Sequence, residues 1–107
     1  MMIMFADLLL PMFDDEYYPD ILVAEIQQLI ERFAKNISKS VLSSDEIYHF
    51  ANETVAQINL MKPQFEDLDS SLDDAATDFI AEAMMQVSQE FGYFDLEAEA
   101  LVANREW

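Results

Sequence analysis

The chain has 107 residues, a length that suits one domain with a single hydrophobic core. Its 22 acids against five lysines and arginines leave a formal net charge of −17, which repels nucleic acid and anionic lipid and attracts basic surfaces. With no cysteine, the chain excludes disulfides, cysteine zinc sites and thiol catalysis.

The scarcity of glycine and proline, the residues typical of turns, favours a helical fold. There are one glycine and three prolines, whereas an all-β sandwich or barrel needs many turns. Hydrophobic residues make up 52% of the chain, which is enough to drive folding despite the charge. We therefore predict an all-α fold, a single domain over residues 1–107 built as a bundle of four main helices or of five.

The first residues, MMIMFADLLLPMF, are apolar. They lack the basic residues of a signal peptide, Asp7 interrupts them, and they fall short of the roughly 20 apolar residues that span a bilayer. We expect residues 4–10 to form a short helix or an extended arm that Pro11 closes, packed into the fold of a cytosolic protein that does not enter a membrane.

A long helix is predicted over residues 19–39. Pro19 suits a first turn, where its missing N–H costs nothing, and the acids of DDEYYPD (residues 14–20) lie at the positive end of the helix dipole. Apolar residues then recur at helical spacing on one face: Leu22, Ile26, Leu29, Ile30, Phe33 and Ile37.

The next helix begins in SSDE, where either Ser43 or Ser44 can be the cap. It should end near Lys62, because Pro63 disfavours α geometry at the residue before it. Residues 63–74, PQFEDLDSSLDD, are the predicted connection to a third helix.

The third helix can be capped by Ser70 or Ser71. It should end before Gly92, the chain's one glycine, which falls where a left-handed residue closes a helix. Asp95 can then cap a last short helix, which leaves NREW at the end of the chain.

The sequence offers few candidate catalytic or metal-binding residues. The only histidine, His49, forms a Glu-x-x-His pair with Glu46, the spacing found in di-iron bundles, but such a site needs a second histidine. Five residues match the side-chain types of an EF-hand loop: Asp67, Asp69, Ser71, Asp73 and Asp78. Leu72 stands where that loop needs glycine, and Asp78 where a longer glutamate is usual. We expect no enzyme, no metal and no cofactor.

The distribution of charge is more informative. Residues 63–104 contain eleven acids and no lysine or arginine. Like charges three or four positions apart on a helix repel, so this stretch is either a solvated face of an acidic protein or a docking face for a basic partner. On the docking hypothesis the candidate contacts are Asp14, Asp15, Glu16, Tyr17, Tyr18, Glu66, Asp67, Asp69, Asp73, Asp74 and Asp78. Nearby aromatic residues would supply anchors: Tyr17, Tyr18, Phe65, Tyr93 and Phe94.

Three stretches carry a family resemblance: DDEYYPDILV, DFIAEAMMQVSQEFGY and NREW. They resemble a family of small acidic bacterial proteins described only as a domain of unknown function. Its typical features are an Asp-x-Tyr-aromatic-Pro start, an IAE helix ending in Tyr-Gly or Phe-Gly, and an Arg-acid-Trp terminus. The similarity spans roughly residues 12–107, with residues 38–60 matching by pattern. It implies a helical fold and supplies no catalytic residue.

By size and charge the chain also resembles immunity proteins, which neutralise toxic nuclease domains delivered between competing bacteria. A nuclease must be basic where it holds phosphates, and an acidic inhibitor can cover that surface quickly. We therefore expect an immunity protein of a contact-dependent growth inhibition system, with a basic nuclease toxin domain as its partner. The alternatives are a nucleic-acid mimic and an acidic interaction protein that binds another basic host protein.

Overall fold

The computed structural model describes residues 8–107, and across this range the chain forms helices and no strand. The all-α prediction is therefore confirmed. The structure divides the bundle into three long helices and three short ones: α1 (Leu10–Asp14), α2 (Asp20–Ser38), α3 (Ser44–Asn59), α4 (Lys62–Asp67), α5 (Asp74–Glu90) and α6 (Ala98–Leu101).

Helix α1 corrects the role expected of Pro11. This proline stands in the first turn of α1 and starts the helix, because an N–H is not needed there. Leu9 precedes it in the left-handed conformation, with a φ of 64°, and both Leu8 and Leu9 are buried. The Leu8 carbonyl accepts a hydrogen bond from Gln27 Nε2 at 3.1 Å, which ties this segment to α2. Most of the predicted helix or arm over residues 4–10 lies outside the described residues.

Helix α2 follows its prediction closely. It runs Asp20–Ser38, with Pro19 at the N-cap position and Asp20 in the first turn. Of the predicted apolar stripe, all members are buried except Leu29, which is partly buried against the core. An amphipathic pattern of this length is a local signal, so it predicts the helix without knowledge of the packing.

Helix α3 begins with a capping box. Ser43 Oγ accepts from the Glu46 N–H at 3.2 Å, and Glu46 Oε1 accepts from the Ser43 N–H at 3.1 Å. The helix ends at Asn59, a little before the predicted end near Lys62. Pro63 stands in the first turn of a separate short helix, α4, most of which lies inside the predicted connection.

Helix α5 has a different cap from either predicted serine. Asp73 is its N-cap, and its carboxylate accepts the Ala76 N–H at 2.9 Å. Gly92 closes the helix with a φ of +90°, as predicted. Asp95 does not cap α6; the residue before that helix is Glu97, and its side chain makes no capping hydrogen bond.

The core lies between the three long helices. Helix α2 packs against both α3 and α5, and the short α6 closes the opposite side by packing against α3 and α5. The largest fully buried side chains come from all the helices, among them Met12, Phe33, Phe65 and Leu101. Across residues 8–107, every helix is too short or too polar to cross a lipid bilayer.

Candidate docking surface

The turn between α1 and α2 orients two adjacent tyrosines in different directions. Asp15 Oδ1 accepts the Tyr17 N–H at 2.9 Å, and the Asp15 carbonyl accepts the Tyr18 N–H at 3.1 Å. These bonds are typical of an aspartate that shapes its own turn. Of the two side chains, Tyr18 is buried, with 3% of its surface exposed, while Tyr17 is 45% exposed.

Tyr18 joins this turn to the start of α5. Its hydroxyl donates to Asp73 Oδ1 at 2.5 Å, across 55 positions of sequence. The same oxygen accepts the Ala76 N–H, so Asp73 caps α5 and holds Tyr18 at once. Tyr18 and Asp73 were both candidate residues for contact with a partner. In the structure, their side chains bond each other inside the fold.

The surroundings of Tyr18 oppose ionisation of its hydroxyl. Burial raises the pKa of Tyr18 well above its ordinary value, because the phenolate would lose its hydration. The hydrogen bond to the Asp73 carboxylate and the negative charge of that group raise the pKa further. A neutral hydroxyl is what the contact requires, since only the protonated group can donate to a carboxylate.

Tyr17 makes the second connection between the same two segments. Its hydroxyl lies 2.8 Å from Ser71 Oγ, and its ring meets the Tyr18 ring edge-on with centroids 5.2 Å apart. Ser71, one of the predicted caps, therefore bonds a tyrosine instead of a helix end. Ser70, the other, is buried, with 6% of its surface exposed.

Two acidic segments that are distant in sequence thus meet at one end of the bundle. We call their exposed members the acidic end: Asp14, Asp15, Glu16, Tyr17, Glu66, Asp67, Asp69 and Asp74. Within residues 8–107, the close contacts between acidic and basic side chains join Glu31 to Lys35 and Glu53 to His49, so none of these carboxylates lies in an ion pair. The unneutralised charge is therefore free to act on a partner.

Other candidates are placed elsewhere. Asp78 is exposed on α5, one turn beyond the acidic end. Phe65, suggested as an anchor, is wrong in that role because it is fully buried in the core. Tyr93 is half-buried, and its hydroxyl bonds the Ser40 carbonyl and the Leu42 N–H. Phe94 follows it, beyond the C-terminal end of α5, and is 68% exposed.

The two metal hypotheses find no geometry in the described part of the chain. Glu46 is occupied by its capping box, and His49 pairs with Glu53 at 3.2 Å on the surface of α3. The EF-hand-like residues are divided between the end of α4, the connection and α5, with Asp73 as a helix cap. In residues 8–107, no three carboxylate or imidazole groups converge as metal ligands would.

The C-terminal NREW is a structural strap that sequence reasoning left without a role. Asn104 Nδ2 donates to the Asn52 carbonyl at 3.2 Å, and Asn59 Nδ2 donates to the Asn104 carbonyl at 3.1 Å. The Glu106 N–H donates to Asn59 Oδ1 at 2.8 Å. Trp107 Nε1 donates to Thr77 Oγ1 at 2.7 Å, so the strap connects α3 to α5. The sequence signal for this role was the hydrogen-bonding capacity of the Asn59, Asn104 and Trp107 side chains.

Comparison with known proteins gives the class of this all-α acidic protein. The family model of DUF5713, described as a family of unknown function, matches residues 3–107, and the chain belongs to this family. No curated protein sequence and no solved structure matches it. The predicted resemblance to a family of unknown function is confirmed, and no comparison connects the chain to immunity proteins.

Proposed function

We propose that this protein acts by binding a basic protein partner through the acidic end, and specifically that it is an immunity protein for a basic nuclease toxin domain. The observation that carries the proposal is the pair of contacts from Tyr17 and Tyr18 to Ser71 and Asp73. They hold two acidic segments side by side around one exposed aromatic ring. Aromatic anchors surrounded by complementary charge are typical of tight interfaces.

Binding through exposed carboxylates should depend on the salt concentration. The screening length falls from about 10 Å at 0.1 M to about 3 Å at 1 M ionic strength, so exposed carboxylates lose most of their reach. Association with a basic partner should therefore slow as salt rises, whereas dissociation should change less. An association rate that is insensitive to salt would remove the acidic end as the driver.

A matched pair of variants separates local from global charge. Asp14→Asn with Glu16→Gln neutralises two acids of the acidic end and spares Asp15, which shapes the turn. Glu90→Gln with Asp95→Asn removes the same charge at and beyond the C-terminal end of α5, a helix about 26 Å long whose first residue, Asp74, belongs to the acidic end. We expect the first pair to slow association several times more than the second. Equal effects would contradict a localised site.

The immunity version is tested by rescue. Bacteria that express a toxic nuclease domain from a neighbouring reading frame should survive when this chain is co-expressed, and should die with a non-cognate toxin. Tyr17→Ala should weaken rescue, because the exposed ring is the candidate anchor. If no neighbouring toxin binds the chain, the immunity version fails while binding to another basic protein remains testable.

A nucleic-acid mimic is the second candidate, and the same unpaired carboxylates favour it. Such a protein occupies the site where a DNA-binding protein holds phosphates. It should displace DNA from a host protein, and adding DNA should release the acidic chain. Simultaneous binding of both would exclude the mimic.

A further inference from the structure

A second acidic feature begins about one turn of α5 beyond the acidic end, in a groove between α5 and α6. The groove has a volume of about 610 Å³ and follows α5 from Thr77 to Met85. Eight residue steps correspond to about 12 Å of helix, or two turns. Its other wall is α6 with the turn that follows it, which ends at the strap residue Arg105.

The floor of the groove is apolar and made largely of small side chains. Ala81 and Met85 contribute from α5, and Ala98, Val102 and Ala103 from the facing wall. Small residues let a partner approach the backbone closely, and Met85 has a flexible side chain that can adapt to what it contacts. Such a floor favours binding of a partner that presents apolar side chains over binding of one that presents charged groups alone.

The rim of the groove is negatively charged. Asp78, Glu82 and Glu99 all line it and are exposed. Within residues 8–107, none of the three is in an ion pair. The one cation, Arg105, donates from its guanidinium to the Val102 carbonyl at 3.4 Å, so its own turn holds it. Three carboxylates against one guanidinium leave the rim negative.

We propose that this groove seats a basic amphipathic helix of the partner, with apolar residues on the floor and lysines or arginines over the rim. Helices commonly bind grooves in this way, using apolar residues at i and i+4 over about two turns. Lysine and arginine suit both parts of the groove, because their stems are apolar and their heads are charged. The inference rests on the proposed function, since both require a basic partner.

The test uses a synthetic peptide of about 15 residues with leucines along one helical face and lysines along the other. Binding is measured by calorimetry to the full chain at moderate salt. A peptide of the same composition in scrambled order has the same charge and no apolar face. The groove predicts clearly weaker binding of the scrambled peptide, while equal binding would overturn the inference.

Two groove variants and one control outside the groove locate the peptide. Glu82→Gln should weaken binding about fivefold, whereas Glu90→Gln, on the same helix outside the groove, should have a much smaller effect. Ala103→Phe keeps the charge and fills the groove from an exposed position, so it should also weaken binding. Thermal unfolding of this variant checks that it folds. If it does not fold, the comparison of Glu82→Gln with Glu90→Gln still decides.

The outcomes distinguish this inference from the proposed function. Equal effects of Glu82→Gln and Glu90→Gln would show binding by diffuse charge and would overturn the groove. If Glu82→Gln and Ala103→Phe both bind the partner normally, and this binding still depends on salt, the acidic end remains the binding site and the groove is excluded. Loss of partner binding in the Asp14 and Glu16 variant, with peptide binding intact, would separate the two sites.

Discussion

Tyr18→Phe tests the contact that joins the two acidic segments. The substitution removes one hydroxyl and keeps the buried ring, so the change is confined to the bond with Asp73. Hydrogen bonds to a charged acceptor contribute about 1.5–3 kcal/mol. Asp73 is half-buried and keeps its bond to the Ala76 N–H, so we expect a loss near the lower limit, about 1.5 kcal/mol.

The free energy of unfolding is measured by urea titration with circular dichroism. The melting temperature should fall by about 6–10 °C for a chain of this size. Tyr17→Phe is the matched control, because it removes a hydroxyl from an exposed contact between neutral groups and should cost about 0.5 kcal/mol. If Tyr18→Phe destabilises the protein no more than Tyr17→Phe, the contact does not hold the two segments together.

The raised pKa of Tyr18 adds a dependence on pH. A group whose pKa is higher in the folded state contributes stability that is present below its unfolded pKa, about 10 for tyrosine, and is lost as the pH rises beyond it. The stability gap between the native chain and Tyr18→Phe should therefore narrow above pH about 10. A gap that stays constant into the alkaline range would contradict this reasoning.

Three further predictions concern helix ends and the strap. Ser43→Ala should cost about 1 kcal/mol by breaking the capping box, and Ser44→Ala should be nearly neutral; the same loss in both would contradict the cap. Gly92→Ala should cost about 1–2 kcal/mol, measured by urea unfolding, because alanine is strained at a φ of +90° even though its Cβ meets nothing within 4 Å. Trp107→Phe should cost about 1 kcal/mol through its lost bond to Thr77; an unchanged melting temperature would show that the strap is dispensable.

The acidic end illustrates how far sequence reasoning reaches into the candidate site. Its residues were all among the predicted contacts, because exposure of acids is a safe expectation from composition. Which of the predicted contact residues bond each other inside the fold was not predictable. The tyrosine that packs inward and the carboxylate that receives it are separated by 55 positions, and only the packing of α2 against α5 brings them together.

The cap of α5 shows the same limit at a smaller scale. Ser70, Ser71, Asp73 and Asp74 all have side chains suited to an N-cap, so local chemistry leaves the choice open. Tyr18 makes Asp73 the best supported choice, because one carboxylate oxygen serves both the helix end and the hydroxyl. Ser71 then bonds Tyr17, and Ser70 is buried.

The sequence by itself determined the helical class, the extent of α2, the start of α3 to within one residue and the stop at Gly92. These depend on apolar periodicity, capping and backbone freedom within a few residues. The tertiary structure decided the rest. It buried Tyr18 and exposed Tyr17, turned Pro11 and Pro63 into helix starts, and folded NREW back onto α3 and α5. These outcomes depend on contacts between residues far apart in the chain, which no local pattern encodes.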